Sequence, residues 1–478
     1  MATQRIEFTE WTPDRPTTVT NLSLVKNVIP AVIGYIPFQL SVSYSNAASE
    51  SLNNVFAARF SDSIGIFAGS ASSLYKMDGA TLNLSDVSKT AAASYSGITK
   101  WNFIQFGDTV IAANNKDKLQ SYTIGTSTRF ADLAAAAPIA KYVTVVRDFV
   151  VAANLDAGSN ANKLQWSNIN DETNWTAGAA SQSDFQIIPD GGNIQGITGG
   201  EFGLILLDRA IVRMTYIGSP YFFQFDTITK GIGCLEGSTV VKYGNTTYFL
   251  GQDGFYSCDG QSITPIGNEK IDRWFFNYAN PSKFSSISTA VDPFKKIVVW
   301  NFLNNFGTRS LLIYNWQVNR WSYCDTDVDI VAAITTPSMT LEGLDLYGNM
   351  DTIQTSFDDI LWAGGKFLFV GSVDKKITTF TGANLDAQII TGDIGSEMTS
   401  IVTLARPIVE NGSASVALAS RTLLNDYVIF GSDIDASSEN RVSLRGGGKY
   451  HRFSIKPKGS QWKNALALEV NVESQGVR

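Results

Sequence analysis

The chain has 478 residues, of which 44% are hydrophobic and 17% charged, and its formal net charge is −7 at pH 7. This composition is typical of a globular protein and excludes a largely disordered chain. The acidic balance disfavours a protein whose main activity is to grip DNA, because that activity requires a basic surface. No apolar run approaches the roughly 18 residues that a membrane helix needs, and the first residues lack the pattern of a signal peptide. We therefore expect a protein that folds in a cytoplasm without membrane insertion.

Residues 1–50 show little regular periodicity and contain Pro13, Pro16, Pro30 and Pro37. Proline removes a backbone donor and interrupts both helices and central strands. The segment is therefore predicted to be an extended N-terminal arm that lies on another part of the protein.

A β-rich unit then recurs, in which two apolar runs flank a turn and an aromatic residue closes the second run. Clear copies occupy residues 60–79, 106–125, 147–169 and 243–267. Their spacing of roughly 40 to 55 residues is typical of four-stranded propeller blades. The pattern predicts a β-propeller over residues 51–390 with six to eight blades, seven being favoured, so the fold class is all-β.

Two segments interrupt the blade pattern. Residues 268–279 have apolar positions at helical spacing and predict a short connecting helix. Residues 325–357 lack the repeat and are interpreted as an insertion or an outer blade edge.

Four tryptophans bracket polar turns within the repeats, an arrangement that favours structural anchoring of the turn on the sheet. An aromatic platform for sugar binding is the alternative interpretation. The four anchors are Trp166, Trp175, Trp316 and Trp321.

Residues 391–478 alternate like strands but lack the blade pattern, and they predict a small β-sandwich-like platform domain that packs with the N-terminal arm. A basic strip runs through it without an intervening acidic residue. It consists of Arg441, Arg445, Lys449, Arg452, Lys456, Lys458 and Lys463. Both a solvated face and a docking surface for an acidic partner remain open as interpretations.

Catalytic signatures are lacking in the sequence. His451 is the single histidine and is predicted to lie on the surface of a glycine-rich hairpin, and no nucleophile elbow or phosphate-binding loop occurs. The acidic residues at 325–329 and 433–435 begin with the spacing of a calcium loop but lack its glycine and its bidentate glutamate. The adjacent acids at 358–359 are better explained as turn and cap residues. We therefore expect no enzyme activity, no metal and no cofactor. Three isolated cysteines are predicted to be small core residues, namely Cys234, Cys258 and Cys324.

Several stretches resemble the tail hub or nozzle proteins of short-tailed bacteriophages. They are WTPDRP and NVIPAVIGYIPF near the start, LQWSNINDETNW, the segment at residues 184–233, YFLGQDGFYSCDGQSITPIGNEKIDRWF, and the C-terminal ARPIVENG and KYHRFSIKP. None of these stretches is a catalytic signature.

The resemblance implies a structural virion protein of the phage tail that folds in the host cytoplasm. Six copies would form a ring beneath the portal and its adaptor, with a fibre or spike protein nearby. The ring would extend and close the DNA channel and would contact the genomic double-stranded DNA transiently during ejection. We infer that residues 1–50 and 391–478 form the adaptor-facing platform and carry the basic strip, because an arm and a sheet with open edges are elements that assembly interfaces reuse. The candidate docking residues are Arg441, Arg445, Lys449, Arg452, Lys456 and Lys458. A carbohydrate-binding propeller that recognises a host receptor is the alternative function.

Overall fold

The computed structural model describes residues 2–16, 21–60, 63–79, 81–90, 94–178, 181–335 and 367–474. Within these residues the strands pair into six separate four-stranded sheets and one fourteen-stranded sheet. Helical structure is short and consists of the α-helix α1 (Asp272–Tyr278) and 3-10 turns at Asp156–Gly158, Gly237–Thr239 and Pro281–Ser286. The all-β prediction is confirmed.

The N-terminal arm forms five short strands. They are β1 (Ala2–Glu7), β2 (Leu22–Lys26), β3 (Val28–Pro30), β4 (Tyr35–Pro37) and β5 (Val42–Ser43).

The repeats form antiparallel four-stranded blades. Blade 1 contains β6 (Asn54–Phe60), β7 (Ser63–Gly69), β8 (Leu74–Met77) and β9 (Leu84–Asp86). Blade 2 contains β10 (Asn102–Phe106), β11 (Thr109–Ala113), β12 (Gln120–Thr123) and β13 (Ala131–Asp132). Blade 3 contains β14 (Ala140–Val146), β15 (Phe149–Leu155), β16 (Asn160–Trp166) and β17 (Asp184–Ile187). Blade 4 contains β18 (Ile194–Thr198), β19 (Gly203–Leu207), β20 (Ala210–Gly218) and β21 (Phe222–Lys230).

The remaining blades follow in chain order. Blade 5 contains β22 (Val241–Tyr243), β23 (Thr246–Leu250), β24 (Phe255–Cys258) and β25 (Ile263–Pro265). Blade 6 contains β26 (Ser288–Asp292), β27 (Ile297–Leu303), β28 (Arg309–Asn315) and β29 (Arg320–Asp325). Blade 7 contains β30 (Ile330–Thr335), β31 (Phe367–Val373), β32 (Lys376–Thr379) and the arm strand β5.

The blades close into a ring around a common axis. The first strand of one blade contacts the first strand of the next for most of the circuit, and β30 of blade 7 contacts β6 of blade 1. Six blades are independent sheets, and blade 6 is a seventh four-stranded unit that continues into the large sheet. The predicted β-propeller is therefore confirmed, and the observed arrangement lies within the predicted range of blade number.

The hydrophobic core of the propeller lies between neighbouring blades. One buried cluster joins blades 1 and 2, a second joins blades 2 and 3, and a third joins blades 3 and 4. Strands β11, β15 and β19 are buried at every position because both faces of each blade are covered. Since no blade buries its own faces, each of these blades depends on its neighbours for its hydrophobic core.

The platform consists of the C-terminal strands and most of the arm. The C-terminal strands are β33 (Gln388–Thr391), β34 (Ile394–Glu410), β35 (Ser413–Arg421), β36 (Ile434–Asp435), β37 (Val442–Lys458) and β38 (Asn464–Ser474). Strand β1 pairs with β38 along its whole length, from Ala2 opposite Val472 to Glu7 opposite Ala467. Strand β2 pairs with β33 and also contacts β29 of blade 6, so one sheet runs from the propeller into the platform. The predicted platform formed by the two termini is confirmed.

Three local predictions change. The arm does not belong to the platform alone, because Val42 and Ser43 pair with β32 and complete blade 7, which covers an otherwise open edge. The segment predicted as an insertion begins with a blade strand, Ile330–Thr335, while residues 336–357 lie outside the described residues. Helix α1 is shorter than predicted at its N-terminal end, where residues 268–271 form turns.

Candidate functional site

A central cavity of about 410 Å³ opens at one end of the propeller axis. The residues that matter most for its chemistry are Lys100, Asn115, Lys141, Tyr142, Glu236 and Ser238. A volume of this size lies in the range that accommodates small ligands.

The cavity sits where the first strands of the blades begin. Its wall contains Asn54 at the start of β6, Asn102 at the start of β10, Tyr142 near the start of β14 and Ser288 at the start of β26. Neighbouring first strands run around the same axis, so their starting residues meet at the same end of the ring. Side chains that are far apart in the sequence therefore converge on one opening.

Positive charge exceeds negative charge in the cavity wall. Three lysines, Lys100, Lys116 and Lys141, line it together with a single carboxylate, that of Glu236. Among the residues that the structure describes, Glu236 forms no ion pair within 4 Å with any of these lysines. The local field therefore favours an anion.

Lys100 is largely buried, and its Nζ donates a hydrogen bond to the backbone oxygen of Ile287 at 2.9 Å. Burial lowers the pKa of Lys100 to about 8, with Glu236 opposing the shift and the positive charges of Arg309 and Lys141 adding to it. Near neutral pH the Lys100 ammonium is therefore charged. Among the described residues, no carboxylate lies within ion-pair distance of it.

Several polar atoms in the wall lack a protein partner. Within the described part of the chain, the Tyr142 hydroxyl, Asn115 Oδ1 and Ser238 Oγ are buried and accept or donate no hydrogen bond. Tyr142 is only 9% exposed, and its burial, together with the nearby Glu236 carboxylate, raises the pKa of the phenol well above its ordinary value. Leaving a buried polar group unsatisfied costs about 1–3 kcal/mol, and a ligand that forms hydrogen bonds with these three atoms would remove that cost.

A glycosidase requires two carboxylates that face each other across the substrate. Among the described residues, Glu236 supplies the one carboxylate in the wall of this cavity. Among the residues described by the structure, no group of three or more His, Cys, Asp or Glu side chains is placed to hold a metal ion.

Most of the predicted basic strip is paired with carboxylates. Lys456 and Lys458 on β37 form ion pairs with Asp433 and Asp435, which lie on or beside strand β36. Arg441 pairs with Glu439 at 3.3 Å. Asp433 and Asp435 could not be recognised as partners from the sequence, because they precede the strip and approach it only through strand pairing.

Arg452 does not lie on a docking surface. Its guanidinium contacts the buried carboxylate of Asp393 at 2.7 Å, and Arg421 contacts the same carboxylate at 2.6 Å. Side chains alternate between the two faces of β37, and that of Arg452 lies on the face that contacts Asp393. The Arg452 side chain is only 14% exposed. The docking prediction remains for Arg445 and Lys449, which form no ion pair within the described residues.

Three of the four predicted tryptophan anchors are buried. Trp166 donates its indole N–H to the backbone oxygen of Gln182, Trp175 to that of Glu172, and Trp321 to that of Ile266. These rings offer no exposed face for a sugar.

Trp316, the fourth anchor, is half-buried and lies against Tyr243 with a centroid separation of 5.2 Å. Its ring packs on the side of blade 5 and does not line the central cavity.

His451 is buried, and the prediction of a surface hairpin is wrong. Its Nε2 and Nδ1 lie 2.8 Å from the hydroxyls of Ser400 and Ser420. Burial lowers the pKa of His451. The glycines before it do not form a turn, because β37 continues through them.

The predicted core cysteines, Cys234, Cys258 and Cys324, are all buried and free. Burial raises the pKa of each thiol, which opposes nucleophilic reactivity. Asp325 forms an ion pair with Lys26. The acidic pair at residues 358–359 lies outside the described residues.

The cavity residues were missed at the level of sequence, although a weak signal exists. A lysine followed by an aromatic residue occurs as Lys100-Trp101 before β10 and as Lys141-Tyr142 within β14. These two pairs lie near the starts of the first strands of consecutive blades, one residue apart in register. A repeated polar or charged residue at the start of blade strands is therefore the pattern that identifies such a cavity.

No protein-family model and no curated protein match this chain. Among solved structures, the extracellular domain of a one-component system from B. thetaiotaomicron is 12% identical, with a TM-score of 0.43 over 86% of this chain and 48% of that chain. The designed Ika8 protein is 10% identical, with a TM-score of 0.35 over 72% and 99% of the two chains. The WD40 domain of coronin from Toxoplasma gondii is 10% identical, with a TM-score of 0.39 over 75% and 87%.

The chain spans about half the length of the first of these structures. The propeller assignment stands on the strand pairing described above. No helix in the described residues is long and apolar enough to cross a membrane.

Proposed function

We propose that this chain is a structural ring-forming protein without enzyme activity, a tail hub or nozzle of a short-tailed bacteriophage. The observation that carries the proposal is a pair of exposed apolar tips on the platform. One tip is the turn between β3 and β4, where Val32 is 63% and Ile33 61% exposed. The other is the segment between β35 and β36, which we call the platform loop (residues 422–433), where Tyr427 is 90% and Ile429 76% exposed.

The two tips are separated along strand β34. The turn between β3 and β4 packs at Ala465, which pairs with Val409 near the end of β34. The platform loop leaves β35 at Arg421, which pairs with Tyr450, and Tyr450 lies opposite Gly395 at the start of β34. Two different patches at the two ends of one strand support head-to-tail contacts between copies, and such contacts close into a ring when the rotation allows.

The buried charge cluster stiffens the base of the platform loop. Arg421 pairs with Asp393 and also donates to the backbone oxygens of Leu424 and Asp426 at 2.6 and 2.9 Å. An exposed apolar loop on a fixed base suits an interface, because little conformational entropy is lost when it binds.

In this proposal the ring contains six copies and stands below the adaptor in the virion tail, with fibres or spikes nearby and genomic DNA passing through its centre. Arg445 and Lys449 lie next to the base of the platform loop on β37 and supply the positive charge for an acidic adaptor surface. The acidic balance of the whole chain suits a channel wall that does not retain DNA.

Mass photometry and negative-stain imaging of the purified chain test the ring. We expect six-fold rings with a central pore, and we expect Tyr427→Ser combined with Ile429→Ser to shift the protein toward monomers. Tyr221→Ser is the matched control, because Tyr221 is 77% exposed on the propeller. Monomers at high concentration, or equal disruption by the control, would contradict the proposal.

Adaptor docking is tested separately by charge reversal. Arg445→Glu combined with Lys449→Glu is expected to abolish docking on adaptor-bearing particles while leaving ring formation intact. Arg441→Glu is the control, since Arg441 already has a carboxylate partner. Normal docking of the double variant would rule out these residues as the contact.

The alternative of a carbohydrate-binding propeller loses its original basis, because Trp166, Trp175 and Trp321 are buried.

A further inference from the structure

The central cavity has the features of a binding site that the ring proposal does not use. It combines an excess of lysine side chains with buried polar atoms that lack partners. Both features cost stability in the empty fold, because buried charge and unsatisfied polar groups are unfavourable. Both costs are relieved by a ligand of complementary chemistry.

The positive side of the site is held in place. Lys100 Nζ is fixed by one hydrogen bond to the Ile287 oxygen, and an ammonium group has three donors, so two remain. The Lys141 Nζ lies over the Tyr142 ring at 5.1 Å from its centroid. Two ammonium groups near one carboxylate favour a ligand with an acidic group.

The acceptors in the wall restrict the ligand further. Asn115 Oδ1 and the Glu236 carboxylate can only accept hydrogen bonds. A bare inorganic anion has few or no protons to donate to them, whereas a ligand with hydroxyl groups donates readily. The Tyr142 and Ser238 hydroxyls both donate and accept, so they serve either kind of group.

Tyr142 is positioned tightly from the opposite side. A Cβ atom added at Gly237 would lie 2.3 Å from the Tyr142 hydroxyl and 1.9 Å from the backbone oxygen of Gln195. The chain therefore requires glycine at this point, and the Tyr142 hydroxyl packs against the backbone of Gly237, which also lines the cavity.

We propose that the central cavity binds a small organic anion that carries hydroxyl groups, of the sugar-acid class. Its acidic group lies against Lys100 and Lys141, and its hydroxyls meet Tyr142, Asn115, Ser238 and Glu236. The volume of about 410 Å³ is sufficient for a single sugar-acid ring. The site lies within one chain, so it does not depend on ring formation.

Isothermal titration calorimetry of the full chain at neutral pH tests the ligand class with three probes. D-glucuronate is expected to bind, whereas D-glucose, which lacks the acid, and inorganic phosphate, which lacks the carbon-bound hydroxyls, are each expected to bind at least about tenfold more weakly, the factor for losing a hydrogen bond to a charged group. Equal affinity for glucose and glucuronate would overturn the role of the lysines. Phosphate binding as tight as glucuronate would overturn the role of the acceptors.

Two variants locate the binding. Lys141→Gln is expected to weaken glucuronate about tenfold, and Tyr142→Phe severalfold, because each removes one contact while keeping the side-chain shape. Lys163→Gln and Tyr221→Phe, which lie outside the cavity lining, are the matched controls and should leave affinity unchanged. Absence of glucuronate binding by the folded wild-type protein, or binding that neither cavity variant weakens, would overturn the proposal.

Discussion

The platform and the propeller each bury cationic side chains, but they surround them differently. In the platform, Arg421 and Arg452 share the carboxylate of Asp393, whose side chain is only 2% exposed. In the propeller cavity, Lys100 and Lys141 lie near a single carboxylate, Glu236, that pairs with neither of them within the described residues. The platform cluster therefore serves the fold, whereas the cavity leaves charge available to something outside the chain. An incompletely satisfied polar site on a rigid scaffold is the more informative sign of function.

The largest effect is expected from breaking the platform cluster. Asp393→Ala leaves two buried guanidinium groups without their carboxylate, and removing one partner of a buried ion pair costs about 3–5 kcal/mol. Urea unfolding followed by tryptophan fluorescence measures the loss of free energy of unfolding.

The matched control for that variant is Asp435→Ala, which breaks the exposed pair with Lys458. Exposed pairs contribute about 0–1 kcal/mol. Similar losses of free energy of unfolding in the two variants would show that the Asp393 cluster does not stabilise the platform more than an exposed ion pair does.

At the cavity we expect a gain in the free energy of unfolding as pH rises, rather than a loss. Burial lowers the pKa of Lys100 from the ordinary lysine value of 10.5 to about 8, so the unfolded chain binds more protons than the folded chain between these two pH values. Stability should therefore rise as pH increases from 8 to 10.5, by up to about 3 kcal/mol, since each pKa unit corresponds to about 1.4 kcal/mol.

Lys100→Met removes the titrating group and should abolish this rise in thermal unfolding measured across the alkaline range. Lys163→Met, outside the cavity, is the control. If the stability of wild type and of Lys100→Met depended on pH in the same way, the buried charge of Lys100 would carry no cost in free energy. The cavity would then not differ from the platform, where Asp393 balances the buried arginines.

A smaller effect is expected at His451 in the platform. Burial between Ser400 and Ser420 lowers its pKa below 6.5, so the unfolded state takes up a proton before the folded state does. Its contribution is present above pH 6.5 and is lost as pH falls below that value.

Differential scanning calorimetry of the wild type and of His451→Gln between pH 8 and pH 5 measures this contribution. The wild type is expected to lose more stability on acidification than the variant, since glutamine does not titrate. Parallel losses would assign the acid sensitivity to other groups.

Much of the propeller was predictable from local patterns. The alternating apolar runs and their regular spacing indicated blades, because each blade is built from residues close together in sequence. The buried cysteines followed from the same reasoning. The joining of the arm to the C-terminal strands was also predicted, since an arm without a core and a sheet with open edges complement each other.

Errors arose where a local pattern had two physical explanations. The glycines at 446–448 were interpreted as a turn, but β37 passes through them as a strand. A Cβ at Gly448 would lie 2.7 Å from the backbone oxygen of Arg421, so glycine is required there for close approach of two strands. Misplacing the turn put His451 on the surface and Arg452 among the docking residues.

The sequence alone determined the all-β class, the repeated blade and the absence of the blade pattern at the two ends of the chain, because these features depend on periodicity within short segments. Only the tertiary structure decided which charges are neutralised and which are not. Asp393 reaches Arg452 across paired strands, and Lys100, Tyr142 and Glu236 meet because ring closure brings the starts of distant strands to one axis. Electrostatic balance depends on distances in space, and those distances are set by the closed ring.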